Sequence, residues 1–228
     1  MTESSSELID LSHVVEHGLV TYKGLPPPSI GDYLSREDSR NVYAGETEFH
    51  IGKIEMVANT GTYVDSPYHR FAGGADLAEM PLENFANLDG IVIRIDPGKG
   101  RSIDLGDENL HQFKGKAVLF HTGWSAHWKT DQYFEGYPYL TKQAATILRD
   151  SGAVMVGIDS VNIDDNRDGM RPVHTILLEA GIPIVEHLSN LDQLPDRGFR
   201  FFATPVKVRS LGSFPVRAFA LLSPERKP

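Results

Sequence analysis

The 228-residue chain has no cysteine, which excludes disulfide staples, thiolate metal ligands and a cysteine nucleophile. It has no apolar run near the roughly 20 residues that cross a bilayer, so a membrane is not its expected home. No long basic run is present and the formal net charge is -9, which argues against nucleic acid as the main partner. Serine-hydrolase, dinucleotide and nucleotide-triphosphate chemistry lack their starting motifs: there is no G-x-S-x-G elbow, no G-x-G-x-x-G fingerprint and no P-loop. Residues 1–7 are polar and serine-rich without an apolar core, and are expected to be a disordered terminus rather than a signal peptide. With the missing cysteine, this points to a cytoplasmic address.

What is present is an ordinary soluble composition, 40% hydrophobic and 23% charged, on a chain long enough for one sizeable core. Residues 1–228 are expected to form a single domain without repeats or linkers. Short apolar runs at 8–11, 90–95, 117–120 and 153–158 read as strands, the last three as buried ones. Residues 141–150 carry Ala144, Ala145, Ile147 and Leu148 on one side and stop before Gly152, the pattern of a helix. A similar helix and strand follow at 174–180 and 182–185, and strands are expected at 200–208 and 216–222. Residues 46–58 read as a strand or bent hairpin arm, 25–28 as a stiff proline-rich segment, 31–45 as loop, 71–74 as a turn, and 81–85 and 107–113 as short helices. The expected class is α/β or α+β.

The chemistry concentrates in Asn59-Thr60-Gly61-Thr62-Tyr63-Val64-Asp65-Ser66-Pro67-Tyr68-His69, where a carboxylate and an imidazole lie four residues apart. Gly61 frees the backbone for a turn and Pro67 stiffens it, so Asp65 and His69 are expected on a bent, rigid loop. His174 and Glu186 flank the second helix and strand pair. A helix running antiparallel to the next strand brings its start and that strand's end to one side of a sheet. Aspartate, histidine and glutamate suit Zn²⁺, Mn²⁺ or Mg²⁺, and neutral imidazole serves as ligand or as acid and base. Taken singly, each residue is equally well explained as a surface or helix-end group.

The segment resembles the signature of the cyclase-like metal-dependent hydrolases, the family of bacterial kynurenine formamidase, isatin hydrolase and trans-dienelactone hydrolase, whose motif runs H-x-G-T-H-x-D-x-P-x-H. Gly61, Thr62, Asp65, Pro67 and His69 match it. Further matches lie at Ile9-Asp10-Leu11-Ser12-His13, Thr122-Gly123-Trp124, Gly157-Ile158-Asp159, His174 and Ile184-Val185-Glu186, so the resemblance spans nearly the whole chain. Asn59 and Tyr63 stand where the family has its two leading histidines.

The resemblance implies a swivelling β/β/α domain that assembles as homodimers or homotetramers, with residues 25–28 reaching toward a neighbour's pocket. It further implies that Asp65, His174 and Glu186 hold a divalent metal, Zn or Mn, as one ion rather than two. His69 is then the general acid/base, and Tyr63 a donor to an oxyanion or carbonyl. The implied activity is metal-dependent hydrolysis of a small amide, lactam or lactone, with a small-molecule substrate. A relative that binds a small molecule without metal, and metal-free hydrolysis by His69 with Glu186, are the alternatives. Of the remaining candidates, Asp159 reads as an orienting acceptor or simply a turn residue, and His121, His127, Trp124 and Trp128 as pocket lining or core. Tyr22 reads as a pocket residue, and His13, His17, His50, His111 and His187 as structural or exposed.

Overall fold

The computed structural model describes residues 7–106 and 111–222. In chain order the elements are β1 (Glu7–Asp10), β2 (Ser29–Leu34), α1 (Arg36–Ser39), β3 (Ile51–Glu55), β4 (Tyr63–Asp65), β5 (Leu88–Arg94), β6 (Ser102–Ile103), β7 (Lys116–His121), β8 (Tyr139–Leu140), α2 (Lys142–Asp150), β9 (Met155–Ile158), α3 (Pro172–Glu179), β10 (Ile184–Glu186), β11 (Arg197–Phe202), β12 (Ser213–Pro215) and β13 (Phe219–Leu222). Nine strands form one mixed sheet in the order β1-β13-β11-β5-β7-β9-β10-β4-β12, while β2 pairs with β3 and β6 with β8 as two-stranded ribbons.

The central strands are buried on both faces, and their side chains alternate between two cores. Ala117, Leu119, Met155 and Val185 enter one, with Ile9, Phe199 and Ala220 from the far strands. Val118, Phe120, Val156 and Ile184 enter the other, against Ala144, Leu148, Val173 and Leu177 of the two helices. Strands far apart in the sheet share the first core because the sheet curls on itself. The curl is pinned where Leu11 N–H donates to the Ala218 carbonyl and Ser189 N–H to the Leu11 carbonyl, both at 2.9 Å. The result is the mixed α/β class expected.

Helix α2 forms where its apolar spacing placed it, capped by Thr141, whose hydroxyl accepts from Ala144 N–H at 3.1 Å. None of the helices among the described residues is long and apolar enough to cross a membrane. Several expectations are corrected. Residues 31–45 are not simply loop, because they contain the end of β2 and all of α1. Glu7 begins β1 instead of fraying. Residues 81–85 and 111–113 make single 3₁₀ turns, and 107–110 lie outside the described residues. The strand expected at 200–208 runs from Arg197 to Phe202, ending short of Pro205, whose missing N–H cannot serve a ladder.

Candidate active site

Strand register builds the site. In β4 the period of two sends Val64 into the first core and leaves Tyr63 and Asp65 together on the opposite face. Asp65 is therefore the end of a buried strand, not part of a bent loop. On one side Tyr63 lies directly across from Glu186 of β10, and on the other Asp65 lies across from Ser213 of β12. Cross-strand neighbours touch, so the Tyr63 hydroxyl donates to Glu186 and the Ser213 hydroxyl to Asp65. Gly61, at φ 66°, makes the turn that precedes β4.

His69 ends the short 3₁₀ turn Pro67–His69 just beyond β4. Gly212 abuts the His69 backbone so closely that a Cβ there would collide with it. Helix α3 carries His174 in its first turn, one turn being fixed by Pro172 at its start and by Asp164, which accepts from Val173 N–H at 2.8 Å and His174 N–H at 3.0 Å.

These elements bring Asp65, His69, His174, Glu186 and Tyr63 together. His174 Nε2 is 3.7 Å from Asp65 Oδ2 and 3.6 Å from Glu186 Oε1. Two donors held about 2.1 Å from a tetrahedral ion stand roughly 3.4 Å apart, so these separations are close to those of ligands sharing one cation. Among the described residues, Asp65, His69 and His174 form a group able to hold a metal ion, each offering a donor atom within 4.8 Å of the others. Glu186 is outside that group; its Oε1 accepts from Ile163 N–H at 2.7 Å, and its Oε2 from Tyr63 and from Asn162 Nδ2 at 3.4 Å. Asn59, the other departure from the family motif, donates Nδ2 to Asp65 Oδ1 at 3.4 Å. The second oxygen, Asp65 Oδ2, is fully buried with no hydrogen-bond donor. An unpartnered carboxylate oxygen facing an imidazole nitrogen fits a cation.

Charge points the same way. Three buried carboxylates, Asp65, Asp164 and Glu186, surround the buried imidazole of His174. Burial works against a charge on His174, but the bond to Asp164 and the nearby carboxylates of Asp65 and Glu186 outweigh it and lift its pKa to about 10. Burial raises Glu186 to about 7 despite the opposing pull of His174. Burial would raise Asp65 too, yet the imidazoles of His69 and His174 and the Ser213 hydroxyl hold it below its ordinary value. Tyr63 is pushed well above the usual phenol range by burial and by the two neighbouring acids, so it stays a proton donor.

Three groups in this arrangement escaped the sequence reading. Asp164 takes Nδ1–H of His174 at 2.7 Å and so aims Nε2 at Asp65 and Glu186. Ser213, whose own proton goes to Asp65, accepts Nδ1–H of His69 at 2.8 Å and leaves His69 Nε2 bare. Asn162 bridges Glu186 and Arg171. Asp164 and Asn162 sit in the run 159–165, which leaves the C-terminal end of a buried strand, a usual place for ligands, and reads equally as an Asp- and Asn-rich turn, so it assigns neither residue a role; Ser213 carried no signal at all. Asp164→Ala is expected to weaken binding of Zn²⁺ by about 10- to 100-fold, measured by competition with a chromogenic chelator.

Other sequence candidates lie elsewhere. Asp159 is buried and accepts from the N–H groups of Thr122 and Gly123, both at 2.9 Å, so it staples the turn after β7. His13 stacks on Trp128 with ring centroids 3.9 Å apart, and burial lowers its pKa to about 4. His187 is buried against Tyr133, and burial takes it to about 3. His121 and Trp128 line a different cavity from the one at Asp65. Tyr22 does line the latter, a cavity of about 320 Å³ walled also by Asn59, Tyr63, His69, His174 and two arginines, Arg70 and Arg171.

Comparison with known proteins agrees with this architecture. The family model described as "Putative cyclase" matches residues 9–165. Kynurenine formamidase of Bacillus cereus is 28% identical over 223 residues, covering 94% of this chain and 97% of that enzyme. Among solved structures, isatin hydrolase A from Labrenzia aggregata superposes with a TM-score of 0.79 at 22% identity, over 95% of this chain and 94% of its own. A potential metal-dependent hydrolase with cyclase activity gives 0.76 at 24% identity, over 98% and 100%.

Proposed function

The chain belongs to the cyclase family of the matching model, and from that membership and the site geometry we propose that it is a metal-dependent hydrolase of a small amide, lactam or lactone. The carrying observation is the unpartnered Asp65 Oδ2 facing His174 Nε2 in a buried, acid-rich cluster beside a cavity large enough for a small molecule. Asp65 and His174 would hold one divalent ion, Zn²⁺ or Mn²⁺, with Glu186 as the third donor. Such an ion supplies a Lewis acid that polarises a carbonyl and makes a water acidic. His69, a third exposed while Asp65 is fully buried, reaches the cavity; with Nδ1–H fixed on Ser213, its Nε2 is the atom that takes a proton from the attacking water and returns it to the leaving group. Tyr63, kept protonated, would turn its single O–H from Glu186 to the oxyanion that develops on the substrate carbonyl once that carboxylate is engaged by the ion.

The test is turnover of an aryl formamide, a cyclic imide and a lactone by protein stripped with chelator and then reloaded. Hydrolysis of one of the three by the reloaded protein alone is expected; no turnover of any would remove the enzymatic reading. Ion uptake should also depend on pH. His174, with a pKa of about 10, carries a proton at neutral pH that a cation must displace. Apparent Zn²⁺ affinity should therefore fall as the solution is acidified, by about tenfold per pH unit between about pH 8 and 9, with release of one proton on binding seen by calorimetry in buffers of different ionisation enthalpy.

A second reading, a small-molecule binding protein without metal, is favoured by the Tyr63 and Asn59 donors that cover carboxylate oxygens otherwise open to a cation. For assembly we propose a homodimer or homotetramer. Support comes from the β2–β3 ribbon, which exposes Ile30, Tyr33, Ile51 and Ile54 outside the main sheet.

A further inference from the structure

We propose that Arg171 reads a carboxylate on the substrate, so that the cavity selects anionic over neutral molecules of the same shape. This rests on the cavity being the substrate site and adds to it the chemical class of that substrate.

Arg94, Arg101, Arg167 and Arg217 each have an acidic partner within 4.0 Å. Arg171 and Arg70, the two arginines on the cavity wall, have none among the described residues. Asp164, a buried acid close to Arg171, has both oxygens committed to α3 and His174. A terminal nitrogen of Arg171 donates to Asn162 Oδ1 at 3.0 Å, and the guanidinium also reaches the Tyr22 hydroxyl, which lines the same cavity. A guanidinium has five N–H donors, so most of this fork is left for a ligand. It is half-buried, where a missing counter-charge costs more than it would in open water.

The backbone is strained to place it. Arg171 sits at φ 47°, ψ 58°, left-handed space that a non-glycine residue adopts only at a cost, and it does so immediately before Pro172. Asn162 holds its guanidinium, and Asp164 fixes the N–H of Val173 two residues on. The cavity is thus lined by two cations, Arg70 and Arg171, as well as by His69 and His174 of the acid-rich cluster. A planar fork of donors matches a carboxylate. Arg70, tied to Thr175 at 3.2 Å, adds positive potential nearby.

The experiment measures calorimetric binding of benzoate and benzamide to wild type, Arg171→Met and Arg171→Lys, each loaded with Zn²⁺ and checked for an unchanged circular dichroism spectrum. Wild type should prefer benzoate by at least about tenfold. The preference should collapse in Arg171→Met and be partly kept in Arg171→Lys. Equal binding of the two probes by wild type overturns the proposal. So does an undiminished preference in Arg171→Met, which would assign charge reading to the bound ion. Turnover of formamidobenzoate and formamidobenzamide is measured in parallel. Binding preference without turnover supports the role of Arg171 while removing the hydrolase reading; turnover without preference does the reverse.

Discussion

Asp65→Asn is expected to lower kcat/KM by about a thousandfold or more and to strip the protein of its ion. The carboxylate is wholly buried, and its free oxygen is the one negative atom in the cluster with no donor of its own. Asparagine keeps the shape and can still accept from Ser213, so the strand and its register should survive. What disappears is the charge that both attracts a cation and keeps His174 in place. Loss of a Lewis acid worth several kcal/mol corresponds to about three powers of ten in rate. Steady-state kinetics together with circular dichroism separate this from unfolding: the rate should fall while the spectrum of the ion-free protein is unchanged at a temperature below its transition. A variant that keeps both its ion and its rate would exclude Asp65 from the site.

His69→Ala is expected to cost about 10²- to 10⁴-fold in kcat while leaving the ion bound. The contrast with Asp65→Asn is the informative part. His69 is bonded through Nδ1 to Ser213 and lines the cavity, whereas His174 and Asp65 form the buried floor. Ser213→Ala should sit between wild type and His69→Ala, because the imidazole remains but its tautomer is no longer fixed. Equal loss of ion from His69→Ala and Asp65→Asn would make His69 a ligand instead of a proton carrier.

The parts legible in the sequence were those governed by local pattern. Strands β5, β7 and β9 each contain an unbroken apolar run, and α2 has both its apolar stripe and its cap residue within ten positions of each other. The step from α3 to β10 could be read because helix and strand are neighbours in the chain, and this brought His174 and Glu186 to one side. Strand β4 could not be read: three residues between Gly61 and Pro67 are too few to show alternation, and the flanking turn formers dominate the pattern. Strand β12 is equally short and holds a proline. Its pairing with β4 joins residues about 150 positions apart, which no local signal records, so Ser213 stayed invisible although it touches both Asp65 and His69. The replacements Asn59 and Tyr63 were visible as departures from a motif. Their effect, donating to carboxylates rather than leaving a vacancy, depends on register and became apparent only with the fold.

The most direct measurement is the metal content per chain, by inductively coupled plasma mass spectrometry, of wild type, His69→Ala, Asp65→Asn and His174→Ala after equilibration with Zn²⁺ and gel filtration. One ion per chain in the first two and none in the last two is expected. A wild type that retains no ion, or a His174→Ala variant that retains a full one, would contradict the buried cluster as a cation site.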